Sequence, residues 1–541
     1  AGPPLASCAG GGGEPAAHGG QCAADAVGGA AERCVDAAGG GCRERARAGA
    51  CETDPAGTWQ SCARSCGSCG LLAGGGWQDA AARLVAECES NRWVVDGLQA
   101  KIDALPDGSP QLLAEVVANS TEFREHLWER CPFVLRGPQG DLAELTLGSA
   151  LEMASSGDLR KGARNTFMDA NVKEEKLHSF RLDYSGAGDK LGSEDVLKKM
   201  KKGTWVVSSV HSLHPAAGRV TLAYQHAFGW PTSSNMYATL SGFSTSAPAH
   251  TDRTESFRLQ CNGEKRWRVW APKVLYPVSG VHEDGQWGKG YAQLRPEQMG
   301  PLMIDHNLLP GEVLYMPRGF AHHTSTPSQG PAGRGVEEPS DVLRDTSVTL
   351  ALTIITEQYE LVYEKAMLCA LGSAGLCTKD SCELGSRVSI LARQDEELRR
   401  SLPLGFLQAQ LGTPAGDRDA WLRAMRSTLQ RLFSKIEVDT TQAPLAGGVR
   451  QIVEVLWDSV GSMARSSLLE STFAPLIGAP GLCSDPRCVR RKGVPLANRT
   501  EMQHRISNFL LSPYFKACRL NEINARYAQG TRAAGGLIER I

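Results

Sequence analysis

The sequence predicts a multidomain chain: a small disulfide-rich module, then a β jelly roll of two packed sheets, then a mainly α C-terminal region. Three observations carry this expectation. Eight of the 17 cysteines fall within the first 69 residues. Between about 112 and 365 the chain breaks into short β-rich runs separated by turn residues, among them RVTLAYQ, SFRLQC, KRWRVW, EVLYMP and SVTLALTIIT, the pattern of a sandwich or barrel. After 365 the apolar residues return to helical spacing in VSILARQDEELRRSL, AWLRAMRSTLQRLFSKI and VRQIVEVLWDSVGSMA.

At 541 residues the chain exceeds what one core ordinarily serves, so several domains are expected. A formal net charge of -1 supplies no global field that would hold the chain on nucleic acid, and no direct nucleic-acid binding is expected. The longest apolar runs, such as SVTLALTII, are strand-sized and fall well short of the roughly 20 residues of a membrane span. The chain starts at Ala1 rather than methionine and is read as a fragment or processed form.

Residues 1–32 are dominated by Gly and Ala, which cannot bury enough surface to offset ordering entropy, and form a flexible lead. Residues 33–70 hold six cysteines, Cys34, Cys42, Cys51, Cys62, Cys66 and Cys69, with almost no apolar core besides Val35 and Trp59. Such a segment needs disulfides to hold it. Six cysteines leave fifteen connectivities open, and CARSCGSC also has the spacing of a zinc cluster. Residues 71–111 form a helical linker, with Leu84, Val85, Cys88, Val94, Leu98 and Ile102 at apolar helical positions.

Within 112–365, His250 and Asp252 stand two apart in APAHTDRTESFRLQC, which on a strand turns both side chains to one face. Two histidines and one carboxylate leave coordination positions open, as non-haem Fe(II) oxygenases require. The pattern alone is weak: composition yields roughly one His-x-acid pair by chance, and the chain has a second at His282 and Asp284, in the Gly-rich loop SGVHEDGQWGKG. Context separates the two. After Asp252 come SFRLQC, the turn dipeptide Asn262-Gly263 and KRWRVW, a hairpin signal. Downstream, LLPGEVLYMPRGFAHHTS offers a turn, a strand and the pair His322 and His323, either of which can complete the face.

These stretches, with FREHLWERCPFVLRG (123–137), SSNMYATLSGFSTSAPAHTDRTESFRLQCNGEKRWRVW and PGEVLYMPRGFAHHT, resemble the JmjC oxygenases of the ribosomal oxygenase group; LRRSLPLGFL (398–407) is similar to the segment after their jelly roll. The resemblance covers roughly 115–410. It implies a cupin-like double-stranded β-helix over 112–365, with Fe(II) held by His250, Asp252 and His322, and with 2-oxoglutarate and O2 as cosubstrates. The family's Pro-Arg-Gly segment selects His322 over His323, and leaves His323 a structural or supporting role. Lys265 matches the lysine that pairs with the distal carboxylate of 2-oxoglutarate. Asn235 and Tyr237 match further pocket positions, with one extra residue separating them from His250. Two departures bear on the substrate pocket: the last strand, DTSVTLALT, lacks histidines the family often carries there, and a Gly/Pro-rich insertion (327–345) precedes it.

The cysteine run, above all its ending C-x3-C-x2-C, resembles the ShKT module, which implies the pairs Cys34 with Cys69, Cys42 with Cys62 and Cys51 with Cys66. Together the resemblances imply hydroxylation of a protein side chain, histidyl first and arginyl next, on a ribosomal protein or other polypeptide, with release of succinate and CO2. The alternatives are a JmjC lysine demethylase and a catalytically inactive secreted scaffold. The helices of 366–541 imply a homodimer contact, as in the family. On compartment the two resemblances conflict. The oxygenase family points to the nucleus or nucleolus, while the cysteine module tips the expectation to the secretory pathway, where the sequons at Asn119 and Asn498 would also have meaning. Cys369, Cys377, Cys382, Cys483 and Cys488 are candidates for further disulfides, and Cys261 for packed core.

Overall fold

The computed structural model describes residues 76–464, except 106–109, 138–139, 156–164, 170–178, 181–191, 209, 229–231, 253, 278–293, 295, 327–345, 355–360, 377–382, 403–414 and 437. The lead, the six-cysteine module with Cys34, Cys42, Cys51, Cys62, Cys66 and Cys69, the rival pair His282 and Asp284, and the insertion at 327–345 lie outside the described residues.

In chain order come α1 (Gly76–Ser90), α2 (Arg92–Asp103), α3 (Pro110–Asn119), β1 (Phe133–Arg136), α4 (Leu147–Ser155), β2 (Asn165–Asp169), β3 (Ser179–Phe180), α5 (Ser193–Met200), β4 (Gly203–Val207), α6 (Pro215–Phe228), β5 (Thr232–Thr239), β6 (Ala247–His250), β7 (Glu255–Asn262), β8 (Lys265–Trp270), β9 (Leu302–Leu308), β10 (Glu312–Met316), β11 (Ala321–Ser325) and β12 (Ser347–Ile354). Helices α7 (Tyr363–Ser373), α8 (Glu383–Gln394), α9 (Ala415–Ser434) and α10 (Ala443–Ala464) follow.

The strands form two antiparallel sheets, one of eight strands in the order β1-β10-β7-β12-β5-β4-β2-β3 and one of four in the order β6-β11-β8-β9. This is the cupin-like core the sequence predicts, followed by helices. The polar–apolar alternation of SFRLQC explains how β7 serves two neighbours. Phe257, Leu259 and Cys261 join the helical side in the main core, alongside Phe228 of α6 and Leu371 of α7. Ser256, Arg258 and Gln260 turn the other way, toward the small sheet, whose inward residues Trp267 and Val269 pack with Leu314 and Met316 of β10. A tight turn forms at Gly263, whose φ of 57° suits glycine and where a Cβ would meet the Thr346 carbonyl oxygen at 2.6 Å, but the expected hairpin does not: β7 pairs with β10 and β12 and β8 with β9 and β11, so the turn carries the chain from the large sheet to the small one.

Two further local readings are corrected. RVTLAYQ, expected as a strand, lies inside α6. Its seven residues fit period two, but the longer segment carries Pro215 at the first helical position and buries Ala217, Val220, Thr221, Tyr224 and Phe228 at helical spacing. Thr221 Oγ1 donates to the Ala217 carbonyl at 2.6 Å, one turn back. Cys88, read as an apolar position of the linker helices, is bonded to Cys131, a sequence separation of 43. The bond ties α1 to the segment entering β1, and α2 packs Val94, Leu98 and Ile102 into the main core. Cys369 is disulfide-bonded as well, and Cys261 is a buried free thiol that burial pushes up to about 12.

Candidate metal centre

Strand pairing brings the predicted ligands together. β6 and β11 are antiparallel neighbours with His250 opposite His322, and their rings lie 4.1 Å apart between centroids. Asp252 sits two residues past the end of β6. Each of the three offers a ligand atom within 4.8 Å of the others, and all are nearly buried.

The protonation pattern suits a cation. His250 Nδ1 donates to the Pro248 carbonyl at 2.7 Å and His322 Nδ1 to the Phe320 carbonyl at 3.1 Å. A carbonyl can only accept, so in each ring Nδ1 carries a proton and Nε2 is the nitrogen that would take a metal. Burial, reinforced by neighbouring His250, holds the His322 imidazole well below the usual histidine range and hence neutral. The set is thus two imidazole nitrogens and one carboxylate, a donor set that fits Fe(II) and leaves positions open.

His323 points the opposite way along the strand, where its ring bonds Thr245 Oγ1 at 3.1 Å and Arg268 Nη2 at 3.0 Å. Strand parity and the pairing of β11 with β6 therefore separate the two adjacent histidines.

Lys265, at the start of β8, is 2% exposed, and its Nζ donates to Thr239 Oγ1 at 3.3 Å. Burial first, and then the positive charge of Arg258, pull its ammonium down to about 7. Asn235 and Tyr237 alternate with Met236 and Ala238 on β5, half-buried, on the same face as Thr239. Register puts Asn235 opposite Ala351 and Tyr237 opposite Thr349. At about 3.3 Å per residue, the rows from Asn235 to Thr239 run roughly 13 Å. Asn235 and Tyr237 thus share with Thr239, the partner of Lys265, the face of β5 opposite to the one that Met236 and Ala238 turn to the main core. Two donors beside the triad, Arg258 Nε and Trp267 Nε1, are buried without hydrogen-bond partners among the described residues, and Trp267 stacks on His322 at 5.9 Å. The pocket has donors and cations to spare, so an acceptor-rich anion fits it.

Arg258 and Thr239 were not singled out in the sequence. The signal for Arg258 was a charged residue at an alternate position of a strand, which reads equally well as a solvated side chain.

Residues 219–333 match the JmjC domain family. The matched stretch contains all three metal-set residues and Lys265. The chain is 31% identical over 188 residues to "Ribosomal oxygenase 2" of Mus musculus, covering 35% of this chain and 31% of that protein. It is 27% identical over 218 residues to "Bifunctional lysine-specific demethylase and histidyl-hydroxylase NO66" of Drosophila willistoni, covering 39% of this chain and 23% of that protein. The matched stretch therefore spans less than a third of either relative. Among solved structures, Escherichia coli ribosomal oxygenase YcfD is 14% identical, covering 62% of this chain and 70% of that one at a TM-score of 0.31, a likeness too slight to argue from. No helix among the described residues is long and apolar enough to cross a membrane.

Proposed function

We propose that the chain is an Fe(II)- and 2-oxoglutarate-dependent oxygenase that hydroxylates a protein side chain, histidyl first and arginyl next. The observation that carries this reading is the buried His250, Asp252 and His322 set on the same jelly roll as a buried lysine, Lys265, whose hydrogen-bond partner among the described residues is Thr239 rather than a carboxylate. When bound, Fe(II) and 2-oxoglutarate supply the oxidising chemistry, with O2 consumed and succinate and CO2 released.

His250 and His322 donate Nε2, and Asp252 supplies the single negative charge of the set. Lys265, steadied by Thr239, receives the distal carboxylate of the cosubstrate, and a bound carboxylate restores the charge that burial disfavours. Trp267 covers the inner side of His322 and keeps water from the metal face. Asn235 and Tyr237 lie on the same face of β5 as Thr239. A polypeptide side chain enters from the remaining open side, and a ribosomal protein is the first candidate because the relatives carry that name.

Demethylation of a methyl-lysine is the second reading, favoured by the double name of the Drosophila willistoni relative. A succinate-release assay with Fe(II) over peptide pools, read by mass spectrometry, separates the outcomes. Gain of one oxygen on a histidine is expected, and loss of a methyl group from lysine favours demethylation. Absence of succinate with every pool would sink both and leave the scaffold reading.

A further inference from the structure

Beside the metal set lies a second buried cation that neither that set nor Lys265 explains. Arg258 is 4% exposed, on the inward face of β7. Its Nη2 donates to Asp252 Oδ2 at 2.6 Å, and its guanidinium lies 5.6 Å from the centroid of the Trp267 ring. Its Nε has no partner among the described residues. Register puts Arg258 opposite Ala351, which in turn faces Asn235, so the three form one row across the sheet, and the bond to Asp252 sets Arg258 beside the metal set. Its charge is also felt at Lys265.

The charges do not balance without a ligand. A divalent metal brings two positive charges, Arg258 one, and Lys265 a further one when protonated. Against them the metal set offers Asp252 alone, and Asp252 already spends Oδ2 on the guanidinium. In a site shielded from water such a surplus is costly. A dicarboxylate removes two charges of it, whereas a metal by itself adds two.

Taking the oxygenase reading as its basis, we infer that Arg258 makes metal and cosubstrate binding interdependent: a divalent metal binds weakly to the empty pocket and tightly only together with a dianionic 2-oxo acid. Arg258 both competes for Asp252 and repels the metal, and the dianion relieves the repulsion. Because coupling is reciprocal, the metal tightens the dianion by the same factor. A monoanionic 2-oxo acid leaves more of the surplus charge in place and couples less.

Mn(II), titrated into the chelator-stripped chain and followed by the electron paramagnetic resonance of the free ion, tests this without turnover. In the unaltered protein 2-oxoglutarate tightens Mn(II) by at least about tenfold, and 2-oxobutyrate by much less. In Arg258→Met, Mn(II) alone binds several-fold tighter than in the parent, and the tightening by 2-oxoglutarate shrinks to a few-fold. Arg258→Gln keeps a hydrogen bond to Asp252 without the charge and serves if the Met variant does not fold; it is expected to behave like Arg258→Met. Arg258→Lys keeps the coupling. Weaker Mn(II) binding in the neutral variants, or coupling equal to the parent's, would overturn the inference while leaving the oxygenase reading intact. A parent chain that binds neither Mn(II) nor 2-oxoglutarate would overturn both.

Discussion

The backbone N–H of Gly319 donates to the carbonyl of Asp252 at 2.9 Å. The turn that precedes the third metal-set residue is thereby tied to the second, so His322 and Asp252 cannot drift apart independently. Gly319 has φ of 85°, and a Cβ there would meet Pro277 at 2.7 Å. Gly319→Ala should cost about 1–3 kcal/mol of stability. It should also weaken Mn(II) binding, read by denaturant melts and metal titration. An unchanged metal affinity would show that the tie does not matter.

Adjacent histidines should behave differently. His322→Ala should abolish metal binding and succinate formation, whereas His323→Ala, on the outer face with Thr245 and Arg268, should keep metal affinity within a few-fold. Equal losses in the two variants would argue against the register of β11 with β6.

The Lys265 ammonium, lowered to about 7 by burial and then by Arg258, makes cosubstrate binding depend on pH. Below pH 7 the group is already charged and meets the carboxylate at no protonation cost. Above it, binding must take up a proton, so affinity for 2-oxoglutarate should fall by up to about tenfold per pH unit until the raised pKa of the bound state is reached. Lys265→Met should remove that slope and raise the KM for 2-oxoglutarate. Calorimetry in two buffers of different ionisation enthalpy measures the proton uptake directly.

Cys88–Cys131 closes a loop of 43 residues in sequence. The Cys88→Ala, Cys131→Ala double variant should lose up to about 4 kcal/mol on the chain-entropy account. The denaturation midpoint, compared with that of the parent under non-reducing conditions, checks it.

Arg318 is fully buried, pairs with Glu129 at 2.6 Å, lies 3.7 Å from Glu255, and donates through Nη2 to the Arg399 carbonyl at 2.5 Å. Glu129 in turn accepts from the Ser401 N–H through both oxygens at 3.1 Å. The residue preceding Gly319 thus joins the jelly roll to the segment after α8. Arg318→Met strands two buried carboxylates and should cost about 3–5 kcal/mol. A fall in metal affinity alongside the lower melting temperature would show that the helical region supports the metal set.

By itself the sequence determined what depends on near neighbours. The tight turn at Gly263 follows from a dipeptide, though not the pairing of the strands it joins, the strands SFRLQC, KRWRVW, EVLYMP and SVTLALTI from period two, and the later helices from period 3.6. His250 and Asp252 were legible because two residues along a strand restore the same face. Resemblance to a known family, rather than spacing, selected His322 and Lys265.

Only the tertiary structure decided what those faces meet. The polar side of β7 reads the same whether water or a cavity lies opposite, and only packing against the four-stranded sheet turned Arg258 inward onto Asp252. RVTLAYQ satisfied a strand template over seven residues, and burial around α6 overrode it. Cys88 became a cross-link because folding brought Cys131 beside it. In each case the deciding partner lies tens of residues away or more, or on all sides at once, and local periodicity carries no information about what the chain will bring there.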